Sequence, residues 1–134
     1  MSAVEQFVDT NVLLYLLSGD NEKSERAEQI LSAGGVVSVQ VLNEFASVAS
    51  RKLKLTIEEI REILATIRAV CRVIAIDEET HDAALRVAER YGLSIYASLI
   101  VAAALLAGCK TLVSEDMQDG QLLEGQVKIR NPFR

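Results

Sequence analysis

The chain has 134 residues, half of them hydrophobic, and a formal net charge of −5. This excludes a disordered chain and suits one domain, residues 1–134, with a sizeable core. The negative balance argues against a protein that coats nucleic acid non-specifically, but not against an enzyme that acts on it. Only 4 % of the residues are aromatic, so the core must be built from Leu, Ile, Val and Ala. The acidic, polar N-terminus carries no signal-peptide pattern. The longest apolar stretch, residues 99–109, is too short to span a bilayer and reads as a buried helix, so no membrane is expected. Cys71 and Cys109 lie in apolar surroundings without metal-ligand spacing. They read as reduced thiols of a cytoplasmic protein.

In chain order, residues 6–9 read as a first strand and 11–18 as a short helix ended by Gly19. A helix over 24–33 stops at Gly34-Gly35, and β-branched residues 36–39 form a second strand. Residues 40–52 carry an apolar helical stripe of Val41, Leu42, Phe45, Val48 and Ala49. Thr56 with Glu59 makes a capping box for the next helix, which bears Ile57, Ile60, Ile63, Leu64 and Ile67. A third strand is predicted over 73–76. A helix over 78–91 follows, with Gly92 as C-cap. Another helix covers 94–107. A fourth strand covers 111–114 and a fifth 126–129. This alternation predicts an α/β fold with a parallel five-stranded sheet flanked by helices.

That order brings acidic residues to one sheet edge. Asp9 ends the first strand, where an apolar run gives way to a helical pattern. Thr10 and Asn11 follow it with a hydroxyl and an amide. Ligand sites in open α/β sheets form at the carboxyl ends of strands. Asp9 thus reads either as a metal ligand or as a cap of the next helix. Glu44 lies just over a turn into the helix after the second strand, as a metal ligand or a solvated charge. Asp116 follows the fourth strand by two residues, as a ligand or a turn former. Of the neighbouring acids, Glu115 and Asp119 remain candidates, and Asp119 is the secondary choice. Asp20, Asp77 and Asp82 read as caps or surface charges, and His81 as a surface residue. Three converging carboxylates repel one another unless a cation is present. Arg51, Lys52 and Lys54 form one basic group, and Lys128, Arg130 and Arg134 another. Each reads as solvated surface, the first also as a candidate for phosphate contacts.

Four ordered blocks carry a family resemblance: Phe7-Val8-Asp9-Thr10-Asn11-Val12, Ser38 to Phe45, Leu99 to Ala104, and Thr111 to Met117. Together they resemble PIN-domain proteins and, more narrowly, VapC-type ribonuclease toxins. The resemblance covers nearly the whole length. It implies a PIN-like domain and a Mg²⁺- or Mn²⁺-dependent endoribonuclease. It implies Asp9, Glu44 and Asp116 as ligands, supported by Thr10, Asn11 and Ser114. It further implies an RNA substrate, a cognate antitoxin and a homodimer.

One position departs from the pattern. The family places an Asp where this chain has Ala97, in Tyr96-Ala97-Ser98-Leu99-Ile100. This helix leads by a short loop into the fourth strand, so its N-terminus should lie at the same acidic edge. With Ser94 as N-cap, residue 97 is N3, where an acid would complete a capping box. Ala97 reads as an introduced Asp-to-Ala substitution, as natural loss of activity, or simply as a core residue. The otherwise complete motif set favours the first. The expected chemistry is hydrolysis of an RNA phosphodiester by water at a carboxylate-held cation, impaired here by Ala97. The alternative is a non-catalytic PIN-like protein acting through RNA or an antitoxin, whose Arg would pair with the carboxylates. A phospho-receiver using Asp9 is disfavoured, because the fourth strand is followed by Ser-Glu-Asp with no Lys.

Overall fold

A computed structural model describes residues 5–134. The reading of a leaderless N-terminus rests in part on residues 1–4, which lie outside the described residues. In chain order the elements are β1 (Gln6–Val8), α1 (Thr10–Leu14), a 3-10 turn (Tyr15–Leu17), α2 (Asn21–Ser32), β2 (Gly35–Ser38) and α3 (Val39–Arg51). Then come α4 (Ile57–Val70), β3 (Cys71–Ile74), α5 (Glu78–Tyr91), α6 (Ile95–Leu106), β4 (Thr111–Val113), β5 (Leu122–Leu123) and β6 (Val127–Arg130). The strands form one sheet in the order β3-β2-β1-β4-β6-β5. All pairs are parallel except β5 with β6.

The helices begin where the sequence offers caps. Ser38, Thr56, Asp77 and Ser94 each accept a bond from a backbone N–H in the first turn of the helix that follows. The stripe of α3 turns Val41, Phe45 and Ala49 inward. They pack in a core that includes Phe7, Val8, Val36, Val37, Leu112 and Val113. Each large apolar side chain buried there contributes roughly 1.5–3 kcal/mol. α6 is buried over Ile100 to Ala104, as its apolar run predicts. Gly35 is small for a reason of packing: an added Cβ would stand 3.1 Å from Val8 Cγ2 and 3.3 Å from the Gln6 carbonyl oxygen. Cys71 and Cys109 are buried free thiols, and burial pushes Cys109 up to about 11. No single helix among the described residues is long and apolar enough to cross a membrane.

The sheet has six strands rather than the five predicted. The added one, β5, is two residues long and pairs antiparallel with β6. Its turn has positive φ at both Glu124 (53°) and Gly125 (64°). Such a turn is ordinarily signalled by Asn-Gly or Asp-Gly, so Glu-Gly hides it. Tertiary contacts hold Glu124 there: its N–H donates to Tyr91 Oη at 2.8 Å, and its carboxylate pairs with Arg90 at 3.0 Å. β3 begins at Cys71, two residues earlier than predicted, because residues 71–74 pair in register with residues 35–38 of β2. α2 begins three residues early, capped by Asp20.

This topology creates the crevice. The chain lays down β1, β2 and β3 outward in one direction, then returns through α5 and α6 to set β4 on the other side of β1. The carboxyl ends of β1 and β4 therefore flank a topological switch point, where α/β sheets bind ligands.

Candidate active site

Asp9 leaves β1 at this switch point and is buried, 7 % exposed. It is the N-cap of α1, accepting from the Thr10 N–H at 2.7 Å. Ser114 Oγ, from the end of β4, donates to Asp9 Oδ2 at 2.9 Å. Asn11 Nδ2 lies 3.3 Å from the same oxygen and 3.4 Å from Ser114 Oγ. Asn11 Oδ1 in turn accepts from the Glu115 N–H at 3.2 Å. The start of α1 is thus tied to the loop after β4 through side chains of both. Ser114 Oγ also accepts from the Asp116 N–H at 3.2 Å.

Glu44 enters from α3, in the second turn beyond the Ser38 cap. Thr10 Oγ1 donates to Glu44 Oε2 at 3.2 Å, and Gln40 Nε2 donates to Glu44 Oε1 at 2.6 Å. The same Gln40 amide reaches the Tyr96 carbonyl at 3.2 Å, tying α3 to α6. Ala97 N–H is held by Ser94 Oγ at 3.1 Å. It stands in the first turn of α6 as the sequence requires.

Asp9, Glu44, Asp116 and Ala97 line one cleft of about 570 Å³. Its electrostatics are strained. Burial pushes Asp9 up to about 6, assisted by the charges of Glu44 and Asp116, although Ser114 and Thr10 donate bonds that pull it down. A buried carboxylate repelled by two others is the electrostatic setting a cation relieves. The donor set is all oxygen, which suits a hard divalent ion. Among the described residues no three Asp, Glu, His or Cys side chains are drawn together tightly enough to hold one ion as they stand. An ion here would keep part of its water shell, as Mg²⁺ commonly does when one or two carboxylates bind it.

Four of the residues singled out in the sequence therefore meet at the cleft, and Thr10, Asn11 and Ser114 brace them. Asp119 does not line it: it is exposed and accepts from the Asn131 N–H at 2.8 Å. Glu115 turns away, toward Tyr15 and Lys23. Asp20 and Asp77 are helix caps, and Asp82 and His81 are exposed on α5. Arg51 donates to Ser47 Oγ at 3.1 Å and lines a second groove of about 760 Å³, which shares Glu44 and Tyr96 with the acidic cleft. Gln40 was not singled out in the sequence. Its spacing four residues before Glu44 on one helix face was the available signal.

Residues 7–118 match the PIN domain family, and the chain belongs to it. No curated protein sequence matches the chain. Among solved structures, it resembles a toxin–antitoxin complex from Klebsiella pneumoniae, with a TM-score of 0.72 and 20 % identity over 96 % of this chain and 98 % of that one. It also resembles VapC20 of Mycobacterium tuberculosis, described as a sarcin–ricin loop cleaving toxin (TM-score 0.65, 18 % identity, covering 81 % and 87 %). A third likeness is FitAcB from Neisseria gonorrhoeae (TM-score 0.69, 19 % identity, covering 96 % and 98 %). At these identities the likenesses establish the fold.

Proposed function

We propose that this chain is the toxin of a toxin–antitoxin pair, built as a Mg²⁺- or Mn²⁺-dependent endoribonuclease and impaired by Ala97. The observation that carries this reading is the meeting of Asp9, Glu44 and Asp116, from three separate elements, in one cleft at the switch point of a PIN fold. The cleavage of the sarcin–ricin loop by a structural neighbour supports RNA as substrate, and the toxin–antitoxin neighbours support an antitoxin as partner. Exposed Val39, Ile95 and Tyr96 support a homodimer, and the buried free thiols suit the cytoplasm.

Asp9, Glu44 and Asp116 would hold the ion, in part through the water shell it keeps. Once bound, a divalent ion lowers the pKa of water and offsets charge developing on the phosphate. The chain does the positioning. Ser114, Thr10 and Asn11 fix both oxygens of Asp9, while Gln40 and Thr10 fix those of Glu44. No Ser or Cys nucleophile is required. Ala97 leaves the α6 side of the cleft without a carboxylate, which weakens the hold on the ion and lowers turnover.

The test is RNA cleavage by this chain and by Ala97→Asp, in Mg²⁺, in Mn²⁺ and in chelator. Metal-dependent cutting gained only by Ala97→Asp supports the reading. Equal cutting by both removes position 97 from the metal site. Ala97 also favours a second reading, a PIN protein that binds RNA or an antitoxin without cleavage. Binding by both folded chains with cutting by neither would favour that one.

A further inference from the structure

Glu115, one of the acids the sequence leaves open, belongs to a cluster outside the cleft. Tyr15 Oη donates to Glu115 Oε1 at 2.7 Å, and Lys23 Nζ donates to Tyr15 Oη at 3.1 Å. Lys23 Nζ also pairs with Glu115 Oε2 at 3.6 Å. The phenol thus uses its donor toward the carboxylate and its acceptor toward the ammonium, a closed triangle. Phe133 packs edge-on against Tyr15 with ring centroids 4.7 Å apart. The Lys23 ammonium sits 4.6 Å from the Tyr15 centroid and 5.6 Å from that of Phe133. Three segments are fastened here: the turn after α1, the first turn of α2 that follows it, and the distant C-terminal residues.

The fourth segment is the loop that bears Asp116. Glu115 is gripped by its side chain in this cluster and by its N–H at Asn11 Oδ1, and the next N–H, that of Asp116, is held by Ser114 Oγ. Asp116 itself is exposed and has no side-chain partner among the described residues, so only its backbone is held. We infer that the Lys23–Tyr15–Glu115 triangle is a positioning clamp that holds the Ser114–Asp116 turn so that Asp116 faces Asp9 and Glu44. This rests on the proposed acidic metal site. The three clamp residues touch neither ion nor substrate; they act through the loop. Direct hydrogen-bond partners of metal ligands commonly change affinity or activity 10–100-fold when removed, and a clamp that acts through the loop belongs at the low end of that range.

The test uses the full chain and its Ala97→Asp form, each carrying Tyr15→Phe or Glu115→Gln. Tyr15→Phe keeps the ring against Phe133 and removes only the hydroxyl. Hydrogen exchange at the Glu115 and Asp116 amides reads the loop without any metal. Mn²⁺ affinity reads the site, and kcat against KM on RNA reads catalysis in the Ala97→Asp form. We expect faster exchange at those two amides with β4 still protected, Mn²⁺ affinity lowered about tenfold, and a fall in kcat with KM unchanged. Lys23→Arg should retain what Lys23→Met loses. Unchanged exchange at both amides overturns the clamp whatever the metal does. Faster exchange with unaltered Mn²⁺ affinity and kcat also overturns it, because the loop would not then position Asp116. If no form binds Mn²⁺ or cuts RNA, the metal-site reading falls and the clamp's function falls with it. Faster exchange would in that case leave only a loop anchor.

Discussion

Ser114 Oγ donates to Asp9 Oδ2 at 2.9 Å across 105 positions of sequence. The bond joins the ends of the two adjacent strands β1 and β4. It gives Asp9 Oδ2, which Asn11 Nδ2 also reaches, its shorter bond in a carboxylate that burial and like charge both disfavour. The same hydroxyl accepts from the Asp116 N–H, so one small side chain sets the spacing of two acids.

Replacing it tests that reading. Ser114→Ala leaves Asp9 short of a donor and the Asp116 N–H without its partner. A loss of about 1–3 kcal/mol in urea unfolding is expected. Asp9 should titrate still higher by carboxyl NMR, since the Ser114 bond pulls it down. A neutral substitution with an unmoved Asp9 would show that the bond does not bear on either acid.

Asp9 also sets a pH dependence. Its pKa is raised from 3.8 to about 6 in the fold, so the folded chain binds more protons than the unfolded chain between those values. The associated stability is fully present below the unfolded pKa and is lost as pH rises through about 6, by about 3 kcal/mol. In chelator, urea unfolding from pH 4 to 7 should therefore show a fall in the parent relative to Asp9→Asn. Saturating Mg²⁺ should shrink or reverse that difference, because an ion competes with the proton.

Ala97→Asp should couple stability to the ion more strongly. At Mg²⁺ a hundredfold above its dissociation constant, binding stabilises by about 2.7 kcal/mol, roughly 10 °C in a chain of this size. Melting scans with and without Mg²⁺ should show that response in Ala97→Asp and a smaller one in the parent. In chelator the added carboxylate meets repulsion from Asp9, Glu44 and Asp116, opposed by its place at N3 of α6. A large and equal Mg²⁺ shift in both chains would count against position 97 as a ligand.

Gly35 offers a test of packing remote from the chemistry. A Cβ there would press on Val8 Cγ2 and the Gln6 carbonyl, both in the central strand. Gly35→Ala should cost about 1–3 kcal/mol. The measurement is the urea midpoint; an unchanged midpoint would mean that β1 and β2 can part without cost.

Much of this molecule is legible in its sequence where a local rule and the tertiary context agree. The inward face of α3, the caps Thr56, Asp77 and Ser94, and the left-handed Gly92 (φ 69°) are of this kind. So is the meeting of Asp9, Glu44 and Asp116, because strand-end logic needs only the order of elements. Other features depend on partners far along the chain. β5 exists through its pairing with β6 and the support of Arg90 and Tyr91. β3 takes its bounds from register with β2. Three neighbouring acids, Glu115, Asp116 and Asp119, look alike in sequence. Tyr15 and Lys23 claim the first, the Asn131 N–H claims the last, and Asp116 remains beside the cleft.

The place of β4 between β1 and β6 carries a consequence for synthesis. The first strand made is the middle of the sheet, and its neighbour on one side comes from the last quarter of the chain. A translation product that stops short of Thr111 contains Asp9, Glu44 and Ala97 but neither the hydroxyl that steadies Asp9 nor Asp116. The cleft lined by Asp9, Glu44 and Asp116 is therefore incomplete until the last quarter of the chain has been added, and the proposed metal site would be assembled last.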